Sequence, residues 1–170
     1  MNPVASEWLR LQMPEHERFQ SACAQPERVQ LARLKAIVGA NAGTAFGQAH
    51  DFSGIRTPED FADRVPVGDH AANVQPWLER MDSPNDGQLT KQPVRFFEQT
   101  SGTTGAAKLI PFTTALRSEI SRAVAAWMGG LNLESPGAFA GPAYWAISPP
   151  LMKSHPPVAG VPVGHLEDTA

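Results

Sequence analysis

One cysteine in 170 residues, Cys23, excludes a disulfide framework within the chain and fits a reducing compartment. Alone on a stretch that reads as helical, it is expected to be a small buried residue and not a nucleophile. Charge of one sign is just as scarce. There are 14 Lys and Arg against 17 Asp and Glu, a formal net charge of -3, and no block of like charge occurs. A basic footprint for nucleic acid or for an anionic membrane surface is therefore missing. Long apolar runs are missing as well: Glu7, Arg10, Glu15 and Arg18 interrupt the N-terminus. No signal peptide is visible, and no stretch approaches the roughly 20 apolar residues that span a bilayer. A soluble, cytoplasmic protein with neither membrane nor nucleic acid as partner is the expectation. The five histidines (His16, His50, His70, His155 and His165) are scattered, with no His-x-x-x-His or Cys/His cluster. That spacing argues against a metal held by protein ligands. Asp82, Asp86, Glu167 and Asp168 show no pairing suited to two-carboxylate acid/base work, and no internal repeat occurs.

What remains is the composition of a folded domain. At 42% hydrophobic and 18% charged residues, the chain has the apolar content that a disordered segment lacks, and its length suits one modest domain. Proline is abundant. Of 16 prolines, seven (Pro136, Pro142, Pro149, Pro150, Pro156, Pro157 and Pro162) fall in the last 35 residues. That tail should be extended or looped, because proline lacks the donor that ladders and helices need. It is also apolar, with Ala143-Tyr144-Trp145-Ala146-Ile147 and then Val158, Val161 and Val163. An apolar, irregular tail needs a surface to pack against, and the stop at Ala170 reads as a cut through a domain.

Along the chain, helices come first. Pro26 suits a first helical position, Leu31, Leu34, Ile37 and Val38 recur at helical spacing, and Gly39 is the expected stop. Asn41 to Thr44 reads as a loop. Thr57-Pro58-Glu59-Asp60 is a helix start, with a hydroxyl cap, a proline and acids facing the dipole. Val65-Pro66-Val67 is expected to be extended, a further helix to carry Trp77, Leu78 and Met81, and Ser83 to Gly87 to turn. The character then changes. Val94 to Gln99 and Lys108 to Phe112 read as short strands, followed by a helix capped by Thr113 or Thr114 and ended by Gly129-Gly130. Leu116, Ile120, Ala123, Val124 and Trp127 fall on one face of that helix. Ala143 to Ser148 reads as a buried strand. The fold class is mixed α/β, a helical N-terminus followed by alternating strands and helices.

Between the two expected strands lies Thr100-Ser101-Gly102-Thr103-Thr104-Gly105-Ala106-Ala107-Lys108. Gly102 and Gly105 let the backbone approach a bulky anion closely. Successive N–H groups in such turns form a nest for phosphate oxygens, and the hydroxyls of Ser101, Thr103 and Thr104 add donors without bulk. Lys108 adds a cation. The run is not a Walker A loop, since its glycines are three apart and Leu109 follows the lysine, and no Gly-x-Gly-x-x-Gly opens a helix. A plain polar hairpin loop remains the bland alternative for a bare Gly-Thr-Thr-Gly; the full run between apolar strands favours a polyphosphate cradle.

The run resembles the first ATP motif of the adenylate-forming superfamily, which includes acyl-CoA ligases, firefly luciferase and nonribosomal peptide adenylation domains. The superfamily's usual proline before the lysine is Ala107 here. The surrounding sequence resembles the plant auxin-inducible acyl acid–amido synthetases and their bacterial relatives. The matching segments are Asn41 to Gly47, Phe61 to Val67, Val74 to Met81, Lys108 to Phe112, Ala143 to Pro149 and Gly160 to Gly164. Their order and spacing carry the likeness from about Phe19 onward, and His70 departs from it, since the family commonly shows an aromatic there.

The resemblance implies a two-step ligase: ATP and a carboxylic acid give an acyl-adenylate and pyrophosphate, and an amino acid amine then attacks the acyl carbon. It implies that Thr100, Ser101, Gly102, Thr103, Thr104, Gly105 and Lys108 hold the β- and γ-phosphates, with Mg²⁺ on the nucleotide. No residue of this chain is implied as a catalytic group. By position, Val124 and Trp127 would line the acyl pocket and favour an apolar or aromatic acid, although an apolar helical stripe is more often core. The resemblance also divides the chain into a mostly helical region at 1–90 and the start of an α/β ATP-binding core at 91–170, together one incomplete domain. The motifs for adenine, ribose and the α-phosphate are expected beyond residue 170, so the chain alone is expected to be inactive. The alternatives are an acyl-CoA ligase using the same first step and a nucleotide-binding module without catalysis.

Overall fold

The computed structural model describes residues 3–100, 108–139, 141 and 156–164. The expected strand at Ala143 to Ser148 lies outside them. Within them run α1 (Pro3–Cys23), α2 (Pro26–Asn41), α3 (Ala45–Ala49), α4 (Pro58–Arg64), α5 (His70–Asn73), α6 (Gln75–Leu78), β1 (Phe96–Gln99), β2 (Leu109–Phe112), α7 (Thr114–Glu134) and β3 (Val163–Gly164). The class is mixed α/β, as the residue pattern leads one to expect. The chain forms two compact units, residues 1–29 with 115–148, and residues 30–114 with 149–170.

In the first unit α1 meets α7. Gly129 and Gly130 do not end α7, which continues to Glu134. The two glycines make room for His16 instead. A Cβ on Gly129 would lie 2.8 Å from the His16 Cβ, and one on Gly130 would lie 3.0 Å from its Cε1. Closeness of packing has overridden glycine's helix-breaking tendency, which costs only about 1 kcal/mol per residue. One imidazole nitrogen of His16 lies 3.1 Å from the Ala126 carbonyl oxygen, and Glu15 accepts from Arg122 at 3.2 Å. Met128 and Leu9 are buried. Cys23 is helical but exposed: it is the last residue of α1, where the helix ends in a turn and leaves the thiol uncovered.

The second unit is built from two small cores. Val38, Phe52 and Ile55 form one, with Leu34, Phe46, Phe61 and Val65 packed against it. α2 runs past Gly39 to Asn41, since a side chain at 39 would meet nothing and glycine is not required there. Ala45–Ala49, unmarked in the sequence reading, is a short helix capped by Thr44, whose hydroxyl accepts from the Gly47 N–H at 2.9 Å and donates to the Asn41 carbonyl at 2.8 Å. α4 begins on a full capping box. The Thr57 hydroxyl accepts from Asp60 N–H, and the Asp60 carboxylate accepts from Thr57 N–H. Met81 lies beyond the end of α6, its N–H donating to Leu78 at 3.1 Å.

Leu78, Met81, Val94, Phe97 and Val161 form the second core. Its sheet has the order β2-β1-β3. β2 is antiparallel to β1 with Phe97 opposite Pro111, and β3 is parallel with Phe97 opposite Val163. Pro111 sits on an edge strand, where a missing donor costs the sheet little. The proline-rich tail does not simply extend: Val158 and Val161 exchange N–H···O=C bonds of 3.0 and 2.8 Å across a two-residue reversal. Ala159 and Gly160 there have φ of 51° and 74°, the left-handed pair that a tight hairpin turn needs. This reversal delivers Val161, 1% exposed, into the core beside Phe97.

Phe97 is fully buried, so truncating it leaves a cavity among all its partners. Phe97→Ala is expected to lower stability by about 3–5 kcal/mol in urea unfolding. A pH effect follows from α4. The Asp60 pKa is lowered, first by the Arg56 N–H bonded to its carboxylate, then by Thr57 and the Arg64 charge. A carboxylate with a depressed folded pKa stabilises above its unfolded pKa, and the contribution disappears as pH falls through the folded one. The urea midpoint of Asp60→Asn should therefore sit below wild type at neutral pH and converge with it in acid.

Candidate functional site

The strands β1 and β2 exist to be joined, and what joins them is the Gly/Thr run. With Gln99 opposite Leu109 as the last strand pair, the ladder continues one step onto Thr100 and Lys108. Thr100 N–H donates to the Lys108 carbonyl oxygen at 3.0 Å. In return, Lys108 N–H donates to the Thr100 hydroxyl oxygen, also at 3.0 Å. The two ends of the candidate cradle are thus brought together in a closed neck, with residues 101–107 between them. Ser101, Gly102, Thr103, Thr104 and Gly105 lie outside the described residues.

Thr100 is half-buried at the neck and Lys108 is exposed. Both backbone polar groups of Lys108 are engaged with Thr100, so its ammonium-bearing side chain leaves a fixed stem. A threonine hydroxyl and a lysine cation at the mouth of a glycine-rich loop are a donor set for an anion. Among the described residues, no group of three or more His, Cys, Asp and Glu is placed to hold a metal ion.

α5 reaches the neck from outside the sheet. Asp69 caps α5 through its carboxylate, which accepts from Ala72 N–H at 2.8 Å. The cap sets His70 as the first helical residue, and its Nε2 lies 3.0 Å from the carbonyl oxygen of Leu109. The sequence reading passed over this contact. Nothing in spacing tells which carbonyl an imidazole meets 39 residues away. All three described histidines bond main-chain carbonyls, since one nitrogen of His50 lies 2.9 Å from the Arg64 oxygen.

Val124 and Trp127 stand on α7, 39% and 60% exposed. Of the stripe they belong to, Leu116 is half-buried while Ile120, Ala123, Val124 and Trp127 are exposed. The buried residues of the helix are Met128, one turn after Val124, and Gly129. Among the described residues, no helix is long and apolar enough to cross a membrane.

Comparison with known proteins adds two findings. A family model described as the GH3 family N-terminal domain matches residues 15–167. The chain is 30% identical over 102 residues to a jasmonoyl–L-amino acid synthetase of Nicotiana attenuata, an alignment covering 59% of this chain and 17% of that protein. A second synthetase of that name, from Oryza sativa subsp. japonica, is 29% identical over 102 residues, covering 59% of this chain and 22% of that protein. The chain spans about a fifth of the length of the curated relatives it matches.

The neck itself can be tested without any ligand. Thr100→Val keeps the shape and removes the acceptor of Lys108 N–H, and it should cost about 1 kcal/mol. Hydrogen exchange should speed up at the Lys108 amide, while the Phe97 amide, bonded to Pro162 at 2.9 Å, stays protected.

Proposed function

Because the chain belongs to the GH3 family, we propose that it carries the phosphate-binding part of a ligase that joins a carboxylic acid to an amino acid. The observation that carries the proposal is the closed neck, in which Thr100 and Lys108 hold a Gly/Ser/Thr loop at the end of two strands. In this reading ATP is the substrate. The acid's carboxylate attacks the α-phosphorus, the bond to the β-phosphate oxygen breaks, and pyrophosphate leaves with the electron pair. The amine of an amino acid then displaces AMP from the acyl carbon, losing a proton.

The part assigned to this chain is electrostatic. Negative charge accumulates on the departing β- and γ-phosphates, and donors fixed before the reaction stabilise it without reorganising. Lys108 supplies the cation, and the loop residues Ser101, Gly102, Thr103, Thr104 and Gly105 supply N–H and hydroxyl donors. Mg²⁺, bound to the nucleotide, would neutralise further charge. The acid is proposed to be apolar or aromatic on the strength of Val124 and Trp127, and the groups that grip adenine and ribose are assigned to sequence outside this chain. With those groups elsewhere, the loop should hold polyphosphate weakly by itself.

The test is a nuclear magnetic resonance titration of the chain with magnesium tripolyphosphate and with Mg·ATP. The expected result is a saturable shift of the Thr100 and Lys108 amides by either ligand, weakened by about tenfold or more in Lys108→Ala, since a bond to a charged group contributes roughly 1.5–3 kcal/mol. Equal affinity in wild type and Lys108→Ala would overturn the phosphate role. Amide formation by the chain alone would overturn the division of labour between this chain and sequence outside it.

A further inference from the structure

The neck fixes Lys108 from the side of β1, but among the described residues β2 is an edge strand of four residues and one of them, Pro111, has no N–H. What holds such a strand in place on its outer side decides how firmly the lysine is presented. Two contacts converge on Leu109, the residue next to Lys108. Its side chain packs against the core of Leu78, Met81, Val94, Phe97 and Val161, and its carbonyl oxygen lies 3.0 Å from His70 Nε2. His70 opens α5, and Leu78 of that core closes α6. α5 follows the Asp69 cap, and Val74 ends α5 and begins α6. His70, at the head of this segment, therefore ties it to the first residue of β2.

We propose that His70 is a positioning residue for the phosphate loop: through the Leu109 carbonyl it holds the Lys108 stem where the cation meets the anion. The inference rests on the phosphate-binding reading of residues 100–108. A neutral imidazole with its proton on Nε2 donates to the Leu109 carbonyl, and so does the imidazolium. The tie therefore survives in any state that keeps that proton. An aromatic hydrocarbon at position 70 can fill the same space and can make no such bond. His70 thus adds a directional constraint on the side of β2 away from β1, where shape alone would supply none. The gain is one of preorganisation, with the stem set before the ligand arrives and less ordering left to binding.

Four proteins separate this from a purely structural role: His70→Ala, His70→Phe, His70→Gln and Lys108→Ala. Each is titrated with magnesium tripolyphosphate while the Lys108 amide is followed, at a temperature where the folded fraction is confirmed by its resolved spectrum. His70→Ala and His70→Phe should bind about three- to tenfold more weakly than wild type, the range that one lost hydrogen bond implies. His70→Gln, whose amide can donate to the same carbonyl, should recover most of the affinity. A merely structural histidine would lower the unfolding midpoint and leave the affinity of the folded protein unchanged. If Lys108→Ala weakens binding while His70→Ala and His70→Phe do not, the positioning role is wrong and the site reading stands. If Lys108→Ala binds as wild type does, the site reading is wrong and this inference falls with it. Should His70→Ala fail to fold, His70→Phe and His70→Gln, which retain volume, decide the matter by the same comparison.

Discussion

Phe97 has no exposed surface, and that burial sets the register of everything around it. Side chains alternate faces along a strand, so a slip of one residue would take Phe97 out of its core, onto the face where Phe96 is also buried, and bring Glu98 in to replace it. The hydrophobic cost of such a slip runs to a few kcal/mol for a fully buried aromatic, more than an isolated two-stranded hairpin could gain elsewhere. With Phe97 opposite Pro111 on one side and Val163 on the other, the ladder can close only with Thr100 facing Lys108. The geometry of the candidate loop is a consequence of a phenylalanine three residues before it.

The contacts that refine this register are hydrogen bonds to the main chain. Thr100 lends its hydroxyl to an N–H, Thr44 does the same at the start of α3, and His16, His50 and His70 each meet a carbonyl. Such bonds do not depend on the identity of the residue that receives them. They let polar side chains steer segments far apart in sequence while apolar ones supply the bulk of the stability. Ion pairs have a smaller part. The Arg122–Glu15 and Arg64–Asp51 contacts each leave one partner, Arg122 and Asp51, mostly in water, where such pairs contribute little.

Much of this was legible in the residues. The mixed class, the two strands around the loop, the helix start at Thr57-Pro58 and the turn before Gly87 all follow from local chemistry, because caps, prolines and β-branched or aromatic runs act within a few residues. The misread glycine stops share one cause. Gly39 and Gly129-Gly130 look like stops, but a glycine ends a helix only when nothing else needs that stretch helical, and at Gly129 the need comes from His16, more than a hundred residues away. The burial expected of Cys23 failed because it lies at the very end of its helix. The neck could be anticipated from the flanking strands. The bond from His70 could not, since a single histidine carries no record of its distant partner. The short helix after Thr44 escaped notice because four or five residues show no period.

The two compact units are interleaved along the chain, and this has a bearing on how the protein must be made. The first needs residues from 1–29 and 115–148, the second from 30–114 and 149–170. During synthesis α1 waits for α7, and β1 waits for Val161 to arrive from the reversal at Ala159-Gly160. At roughly 5–20 residues per second, the wait for that valine after Phe97 emerges lasts several seconds. Through that interval an apolar strand stands without its parallel neighbour. The nascent chain is then a better client for a chaperone than the finished one, and the ribosome's pace becomes a determinant of yield.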